Sequence, residues 1–267
     1  MTITHKNASV WYTVSGKGSA IVLLHGFLED SSMWNDLVAL LSKKNKVICI
    51  DLLGHGKTES LGYVHTMDDM ANAVYAVLKH LKLRKYTFIG HSMGGYVALA
   101  FAKLHTKNIK GLCLLNSTYQ ADDEDRKLLR TRANKMIQSN FNNMVRMSFA
   151  NLFSASSKEK HKQAFHAALQ IALKTSLQGY MAGQEGMKLR EDSSVFFANA
   201  PFKTCIVLGK KDTVIDIEST INFAKKHAIE TFVFSEGHMS HIENKEQYLQ
   251  QIMFFIEKIH HFVDTLE

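Results

Sequence analysis

Short apolar runs alternate with amphipathic stretches along most of this chain. Residues 8–15 alternate apolar and polar positions like a half-buried strand, and they end at a hairpin-type glycine turn, residues 16–18. Further strands are predicted from mostly apolar runs at residues 20–25, 46–51, 86–90, 109–115, 203–209 and 230–235. Helical spacing of apolar residues occurs in residues 32–41, 68–81, 95–103 and around residues 249–256. The alternation predicts an α/β fold with a mostly parallel sheet, helices on both faces, and a site at the carboxyl ends of the strands.

The alternation stops between about Ala121 and Val195, where the pattern is helical and contains no strand signal. One predicted helix face comprises Leu129, Ala133, Met136 and Ile137, and another comprises Phe165, Ala168, Leu169 and Ala172. We interpret this interval as a helical insertion that covers the strand ends. The predicted domains are therefore a core of residues 1–119 and 197–267 and a helical lid, or cap, of residues 120–196.

Composition narrows the class of protein. The 267 residues, 46% of them hydrophobic, suffice for one large α/β domain with an insertion. There is no run of 18 uncharged apolar residues and no apolar signal-peptide segment near residue 1, so we expect no membrane span and a cytoplasmic location. Cys49, Cys113 and Cys205 lie in apolar runs, are odd in number and lack metal-ligand spacing, which favours buried thiols over disulfides.

The net charge of +7 comes mainly from 26 lysines that are scattered along the chain. No basic run exceeds two residues, and no basic helix face is interleaved with aromatic residues. The pattern does not meet the criteria for a nucleic-acid surface, so we expect no nucleic-acid partner. A preference for anionic substrates through long-range attraction remains compatible with the charge.

The most specific motif is Gly-His-Ser-Met-Gly at residues 90–94, between a predicted strand and a predicted helix. A serine between two glycines at a strand-to-helix turn is the signature of a nucleophile elbow. The glycines leave room for the tight turn because they lack a Cβ atom. The turn would hold the hydroxyl of Ser92 above the sheet, next to the positive end of a helix.

A serine hydroxyl needs a base to take its proton, and the base needs an acid to orient it. Asp212 follows the apolar run 203–209, so it should lie at the carboxyl end of that strand. Asp216 is the alternative acid, although its position favours a helix N-cap. Asn116 ends the preceding strand, where some relatives place the acid, but an amide cannot serve as the carboxylate.

His238 follows the last predicted strand directly after Gly237, which permits a sharp exit from the strand. We therefore predict His238 as the base, with His241 as the competitor. The two histidines could also indicate a metal, but no third ligand is evident, and no metal site is predicted.

An acyl-transfer site also needs donors for the oxyanion. The backbone N–H of Met93, directly after the nucleophile, is one predicted donor, and the backbone N–H of Phe27 in the loop after residues 20–25 is the other. The side chain of His25 is interpreted as a structural hydrogen-bonding group. Leu28 and Trp34 are predicted to contribute to the substrate pocket.

With these residues identified, the chain resembles the α/β-hydrolase superfamily, in particular small serine esterases and acyl hydrolases with a helical lid. The matching motifs are Leu-His-Gly-Phe at 24–27, Asp-Leu-Leu-Gly-His-Gly at 51–56, Gly-His-Ser-Met-Gly-Gly at 90–95, Gly-Lys-Lys-Asp at 209–212 and Gly-His-Met-Ser-His-Ile-Glu at 237–243. The resemblance implies an eight-stranded sheet, a lid after the sixth strand, the Ser92-His238-Asp212 catalytic triad with Phe27 and Met93 as oxyanion donors, and a structural role for Glu243.

The resemblance implies a carboxylesterase-like hydrolase acting on a small ester, or a thioester, without a cofactor. Two further hypotheses remain open. The same triad serves carbon–carbon hydrolases and a menaquinone-pathway lyase, although the former tend to have Asn where this chain has His91 and the latter has Arg where Tyr96 stands. A non-catalytic small-molecule receptor also uses this fold, so the fold alone does not decide the activity. The oligomeric state is not predicted.

Overall fold

An eight-stranded sheet forms the centre of the protein, whose computed structural model describes residues 1–264, with side chains through residue 260. The strands are β1 (Thr2–His5), β2 (Ala8–Ser15), β3 (Ser19–Leu24), β4 (Asn45–Ile50), β5 (Tyr86–His91), β6 (Ile109–Leu115), β7 (Lys203–Gly209) and β8 (Glu230–Phe234). Their order across the sheet is β1-β2-β4-β3-β5-β6-β7-β8. Strand β2 runs antiparallel to β1 and β4, and the other neighbouring pairs are parallel. The prediction of a mostly parallel eight-stranded sheet is confirmed.

Helices cover both faces of this sheet. They are α1 (Asn35–Leu41), α2 (Met67–His80), α3 (Met93–Leu104), α4 (Glu124–Met136), α5 (Phe141–Ala150), α6 (Ser157–Lys160), α7 (Lys162–Ala172), α8 (Leu177–Lys188), α9 (Ser194–Ala198), α10 (Ile217–Lys226), α11 (Ser240–Glu243) and α12 (Lys245–Asp264). Two 3-10 helices, Ser31–Trp34 and Thr106–Asn108, precede α1 and β6. Among the helices of the described residues, none combines the length and apolarity needed to cross a membrane.

Two apolar cores explain why the central strands are apolar throughout. Successive residues of a strand point to opposite faces of the sheet. Val22 and Phe88 therefore pack in the core that includes residues of α2, α3 and α10, whereas Ile21 and Ile89 pack in the core that includes α1 and α12. The three cysteines are buried and free.

Two features at one edge of the sheet differ from the sequence interpretation. The turn at residues 16–18 does not form a hairpin between β2 and β3, because β4 lies between them and Tyr12 pairs with Ile50. Strand β1 was not predicted. Its four residues alternate between exposed and half-buried positions, so it carries no apolar run.

The predicted lid segment contains α4 to α8 and the start of α9. The predicted apolar face of α4 is wrong in part. Leu129 and Met136 are 60% and 55% exposed, while Asn134 and Ile137 face the interior and Arg130 is partly buried. The helix is turned this way because polar side chains on it form hydrogen bonds inside the protein, among them Asn134 to the carbonyl of Met181 at 3.1 Å.

Helix α8 packs against the loop that follows β4 with very little space between the two backbones. A Cβ atom on Gly179 would lie 2.1 Å from the carbonyl oxygen of Gly54, and one on Gly186 would lie 1.6 Å from that of His65. The N–H of His65 also donates to the carbonyl of Ala182 at 3.0 Å. Glycine on this face of α8 therefore allows the insertion to pack directly onto the loop that follows β4.

Replacing glycine by alanine inside a helix usually raises the free energy of unfolding by about 1 kcal/mol. The close backbone contact of α8 reverses this effect. We expect Gly186→Ala to lower the free energy of unfolding by about 2 kcal/mol, because the new methyl group overlaps backbone atoms. Gly183→Ala is the matched control, since the nearest atom to its Cβ is Cε2 of Phe27 at 3.2 Å, on a side chain that can shift. Denaturant unfolding of the variants checks this, and equal stability of the two would contradict it.

Candidate active site

The loops that leave the carboxyl ends of neighbouring strands meet at one edge of the sheet. Leu24 of β3 lies opposite Gly90 of β5, and Leu115 of β6 lies opposite His91. Because the parallel strands point the same way, the residues that follow them lie side by side. The predicted site residues that these loops contain are Phe27, Leu28, Ser92, Met93, Asp212 and His238.

Ser92 occupies a strained turn between β5 and α3. Its φ and ψ are 48° and −117°, a conformation that is costly for a residue with a side chain. The turn is closely packed, since a Cβ atom on Gly90 would lie 2.4 Å from the carbonyl oxygen of Gly94, and one on Gly94 would lie 2.2 Å from that of Leu24. Ser92 is half-buried, whereas its neighbours His91 and Met93 are buried. The turn thus leaves the serine accessible at the start of α3.

Asp212 and His238 form a buried hydrogen-bonded pair. Nδ1 of His238 lies 2.7 Å from Oδ2 of Asp212, and both side chains are at most 2% exposed. The other carboxylate oxygen of Asp212 accepts from the backbone N–H groups of Val214 and Ile215. In a neutral imidazole this arrangement places the proton on Nδ1 and leaves Nε2 as the acceptor.

The surroundings of Asp212 keep it ionised despite its burial. Burial raises the pKa of a carboxyl group, but the charge and hydrogen bond of His238, and hydrogen bonds from Val214 and Asn116, lower the pKa of Asp212 below its usual value. Asn116 donates its side-chain amide to Oδ2 of Asp212 at 3.2 Å. The competing acid, Asp216, is the N-cap of α10 and accepts from the N–H of Ser219 at 3.1 Å.

A cavity of about 160 Å³ lies between these loops and the insertion helices. Ser92, His238, Phe27 and Leu28 line it. The lining residues from the insertion helices α4, α5 and α8 are Arg130, Ser148, Gln184 and Met187. The candidate nucleophile and the candidate base therefore line one cavity together with side chains of the predicted lid.

The position of Trp34 corrects the prediction that it contributes to this pocket. Its side chain is fully buried in the core on the α1 and α12 side of the sheet, with Leu37 and Leu41. It does not line the cavity. The 3-10 helix Ser31–Trp34 directs the side chain of Trp34 into the core instead.

The loop that contains Phe27 is held by side chains on both sides. His25 accepts a hydrogen bond at Nε2 from the N–H of Leu52, at 2.9 Å, so it serves the structural role predicted for it. Leu28 adopts a positive φ of 65°.

Met93 begins α3, and the first N–H groups of a helix lack intrahelical partners.

The sequence interpretation missed a buried ion pair, Glu29 and His91, next to this site. Nδ1 of His91 donates to Oε2 of Glu29 at 2.6 Å, and Nε2 donates to the backbone carbonyl of His238 at 3.0 Å. The same glutamate oxygen accepts from the N–H of Gly26 at 2.7 Å. Since both ring nitrogens of His91 face acceptors, the ring carries two protons and a positive charge. The pair joins the loop after β3, the nucleophile strand and the loop of His238.

The pKa shifts of this pair agree with its charges. Burial raises the pKa of Glu29, but the charge and hydrogen bond of His91 outweigh burial and lower it to about 2. Burial lowers the pKa of His91, but the charge of Glu29 and the hydrogen bonds raise it above 6.5. Burial lowers the pKa of the nearby His241 to about 4, so this ring is neutral at pH 7.

Glu29, His91 and His241 also place one potential metal-ligand atom each within 4.8 Å of one another. However, both nitrogens of His91 already donate hydrogen bonds, and a metal ligand must offer a lone pair. The cluster is therefore better described as a hydrogen-bonded ion pair with a neutral histidine beside it. His241 does not contact Asp212 in any hydrogen bond of the described residues, whereas His238 does.

Comparisons with known proteins identify the family and the fold. A family model described as alpha/beta hydrolase fold matches residues 19–245. The structure superimposes with a TM-score of 0.90 on a malate-bound thermophilic esterase from Thermogutta terrifontis, at 27% identity and with 97% of each chain covered.

Two proteins of similar sequence carry different names for their activities. The chain is 28% identical over 260 residues to the dihydrolipoyllysine-residue acetyltransferase component of the acetoin cleaving system of Pseudomonas putida. The match covers 93% of this chain and 66% of that protein. The chain thus spans just under two thirds of that relative. It is 23% identical over 256 residues to the 2-hydroxy-6-oxo-6-(2'-aminophenyl)hexa-2,4-dienoic acid hydrolase of Metapseudomonas resinovorans, covering 92% and 87% of the two chains.

The charge of Glu29 predicts a specific pH dependence of stability. The pKa of Glu29 is about 2 in the folded protein and 4.5 ordinarily, so its contribution is present above about pH 4.5 and is lost as the pH falls towards 2. We expect Glu29→Gln to lower the free energy of unfolding at pH 7 by about 3 kcal/mol, because it leaves the charge of His91 uncompensated.

Between pH 4.5 and 2 the unfolding free energy of the wild type should then fall more steeply than that of Glu29→Gln, by up to about 1.4 kcal/mol per pH unit. Denaturant unfolding over a pH series measures both quantities. Glu124→Gln, at a side chain that is 89% exposed, is the control and should follow the wild type. Parallel pH curves for the wild type and Glu29→Gln would contradict the charge assignment.

Proposed function

The chain belongs to the alpha/beta-hydrolase-fold family, and from this premise we propose that it is a serine hydrolase that cleaves carboxylic esters, and by the same chemistry thioesters, through an acyl-enzyme on Ser92. The observation that carries the proposal is the buried 2.7 Å hydrogen bond between His238 and Asp212 beside a cavity that Ser92 also lines. This combination supplies a nucleophile, a base and a group that orients the base.

In the proposed first step, Nε2 of His238 takes the proton of the Ser92 hydroxyl as the oxygen attacks the ester carbonyl. Asp212 keeps the imidazole in the tautomer with its proton on Nδ1 and stabilises the imidazolium that forms. The imidazolium then gives its proton to the departing alcohol, and the acyl group stays on Ser92.

The negative charge that develops on the carbonyl oxygen needs fixed donors. We assign this role to the backbone N–H groups of Phe27 and Met93. Met93 is the first residue of α3, where the helix dipole favours negative charge. In the second half of the cycle, His238 takes a proton from water as the water oxygen attacks the acyl group. The bond between the acyl carbon and Oγ of Ser92 then breaks, His238 returns the proton to Oγ, and the acid is released.

We also propose that residues 120–196 act as a lid that shapes the substrate cavity. The support is that Arg130, Ser148, Gln184 and Met187 of this segment line the cavity beside Ser92. The core domain would then supply the chemistry, and the lid would supply most of the selectivity for the acyl group.

Carbon–carbon bond hydrolysis is the second candidate, and the similarity to the dienoic acid hydrolase over 92% of this chain favours it. The same serine, histidine and aspartate would act on a ketone carbonyl. Assays on a dienoic diketo acid and on simple esters separate the two reactions. A small-molecule receptor is the third candidate, and it would retain a ligand without turning it over.

Replacement of Ser92 tests the proposal. We expect Ser92→Ala to lower kcat/KM for short p-nitrophenyl esters by at least about 10⁴-fold, because the variant lacks the proposed nucleophile. Ser139→Ala, at an exposed serine, is the control and should retain wild-type activity. Circular dichroism and the melting temperature check that both variants are folded. Comparable ester hydrolysis by wild type and a folded Ser92→Ala protein would overturn the proposal.

A further inference from the structure

A cluster of three charged side chains lies at the side of the cavity that the insertion helices form. Asp122 is a single carboxylate between two guanidinium groups. Nε of Arg130 lies 2.5 Å from its Oδ2, and Nη1 of Arg190 lies 2.7 Å from its Oδ1. Asp122 is fully buried at its side chain, Arg190 is 4% exposed and Arg130 is 16% exposed. The cluster therefore carries a net charge of +1 and is mostly buried.

Burial of an unmatched charge is costly unless it is paired or hydrogen-bonded. Burial raises the pKa of Asp122, but its hydrogen bonds with Arg130 and the charges of both arginines lower that pKa below its usual value. The carboxylate is thus ionised and cancels one of the two positive charges. The second positive charge has no carboxylate of its own within the cluster.

The two arginines differ in what they can still bind. Arg190 donates to the carbonyls of Gln120 and Met187, and its guanidinium stacks 4.1 Å from the ring centroid of Tyr96. It holds the end of α8 against the core domain. Arg130 is the one of the two that lines the cavity beside Ser92 and His238.

The hydrogen bonds of Arg130 leave part of its guanidinium available. Nε and Nη2 face Asp122, and Nη1 donates to Oε1 of Gln184 at 2.7 Å. A guanidinium has five N–H groups in a planar fork that matches a carboxylate. These contacts use three of the five, so one N–H on each terminal nitrogen remains for a ligand.

The other charged groups around the cavity are already matched. Glu29 is paired with His91, and His238 is hydrogen-bonded to Asp212. Among the residues that line the cavity, Arg130 is therefore the cation whose carboxylate partner, Asp122, is also paired with a second arginine. The cavity volume of about 160 Å³ corresponds to about five water molecules, which suits a short acyl chain.

From this arrangement we infer that Arg130 binds a carboxylate on the substrate, so that the preferred substrates are short esters that carry a negative charge away from the scissile bond. The inference rests on the proposed ester hydrolysis at Ser92. Arg130 is a specificity-determining residue in this account, and Gln184 positions its guanidinium. A charge-assisted, two-point hydrogen bond favours such a substrate over one of the same length that ends in a methyl group.

A matched pair of esters tests this inference. Mono-4-nitrophenyl glutarate and 4-nitrophenyl pentanoate share their leaving group and acyl length and differ in a terminal carboxylate. The ratio of kcat/KM for the glutarate ester to that for the pentanoate ester should fall by about 10- to 100-fold in Arg130→Met, consistent with loss of one strong polar contact. Arg130→Lys, which keeps the charge but not the planar fork, should lie between the two.

Arg132→Met is the matched control, because Arg132 is an exposed arginine on the same helix and its loss changes the net charge equally. Its ratio should equal that of the wild type. Free glutarate should inhibit hydrolysis of the pentanoate ester competitively in the wild type, with an inhibition constant at least about tenfold weaker in Arg130→Met.

The outcomes separate this inference from the proposed function. An equal loss on both esters in Arg130→Met, with glutarate inhibition unchanged, would show a purely structural arginine and overturn the anion site while leaving ester hydrolysis intact. An equal fall of the ratio in Arg132→Met would assign the preference to net charge instead. If the wild type hydrolyses neither ester, or Ser92→Ala hydrolyses both, the proposed function itself fails.

Discussion

The ion pair between Glu29 and His91 holds together three chain segments that leave the sheet separately. Glu29 belongs to the loop after β3, His91 ends β5, and the ring of His91 donates to the carbonyl of His238 after β8. Two buried charges are tolerated only where geometry and hydrogen bonds compensate for their lost hydration. Here the glutamate accepts from both His91 and the N–H of Gly26, and the histidine uses both of its protons. This one interaction therefore connects the loop with Phe27, the turn with Ser92 and the loop with His238.

Close backbone packing around the ion pair leaves these loops little freedom. A Cβ atom on Gly26 would lie 2.5 Å from Oε2 of Glu29 and 2.7 Å from Nδ1 of His91. A Cβ atom on Gly209 would lie 2.0 Å from the carbonyl oxygen of Gly237, directly before His238. The core side of the cavity is thus built from strand ends and tight turns, and its other side is built from residues of helices α4, α5 and α8. Under the proposed function, the strand ends and turns would carry the reactive groups and the helical side would carry groups that select the substrate.

Most of the sheet could be predicted from the sequence because a strand buried on both faces must be apolar throughout. The predicted bounds of β2, β6 and β7 agree with the structure to the residue. The order of Ser92, Asp212 and His238 was also accessible, since each follows a recognisable strand. What escaped prediction depends on partners that are distant along the chain. Glu29 and His91 are 62 residues apart, and Arg130 points inward because of Asp122 and Gln184, the latter 54 residues away. Local periodicity placed Leu129 on an apolar helix face, whereas the structure leaves Leu129 60% exposed and turns the neighbouring Arg130 inward.

The central claim, that this fold holds Ser92 as the residue that becomes acylated, is tested most directly by trapping the intermediate. The wild-type protein would be mixed with a slowly deacylating p-nitrophenyl ester, quenched in acid, and analysed by intact-mass and peptide mass spectrometry. The account predicts one acyl adduct per chain, on the peptide that contains Ser92, formed with a stoichiometric burst of p-nitrophenol. An adduct on another residue, or continued ester turnover with no adduct on Ser92 under conditions where deacylation limits the rate, would contradict it.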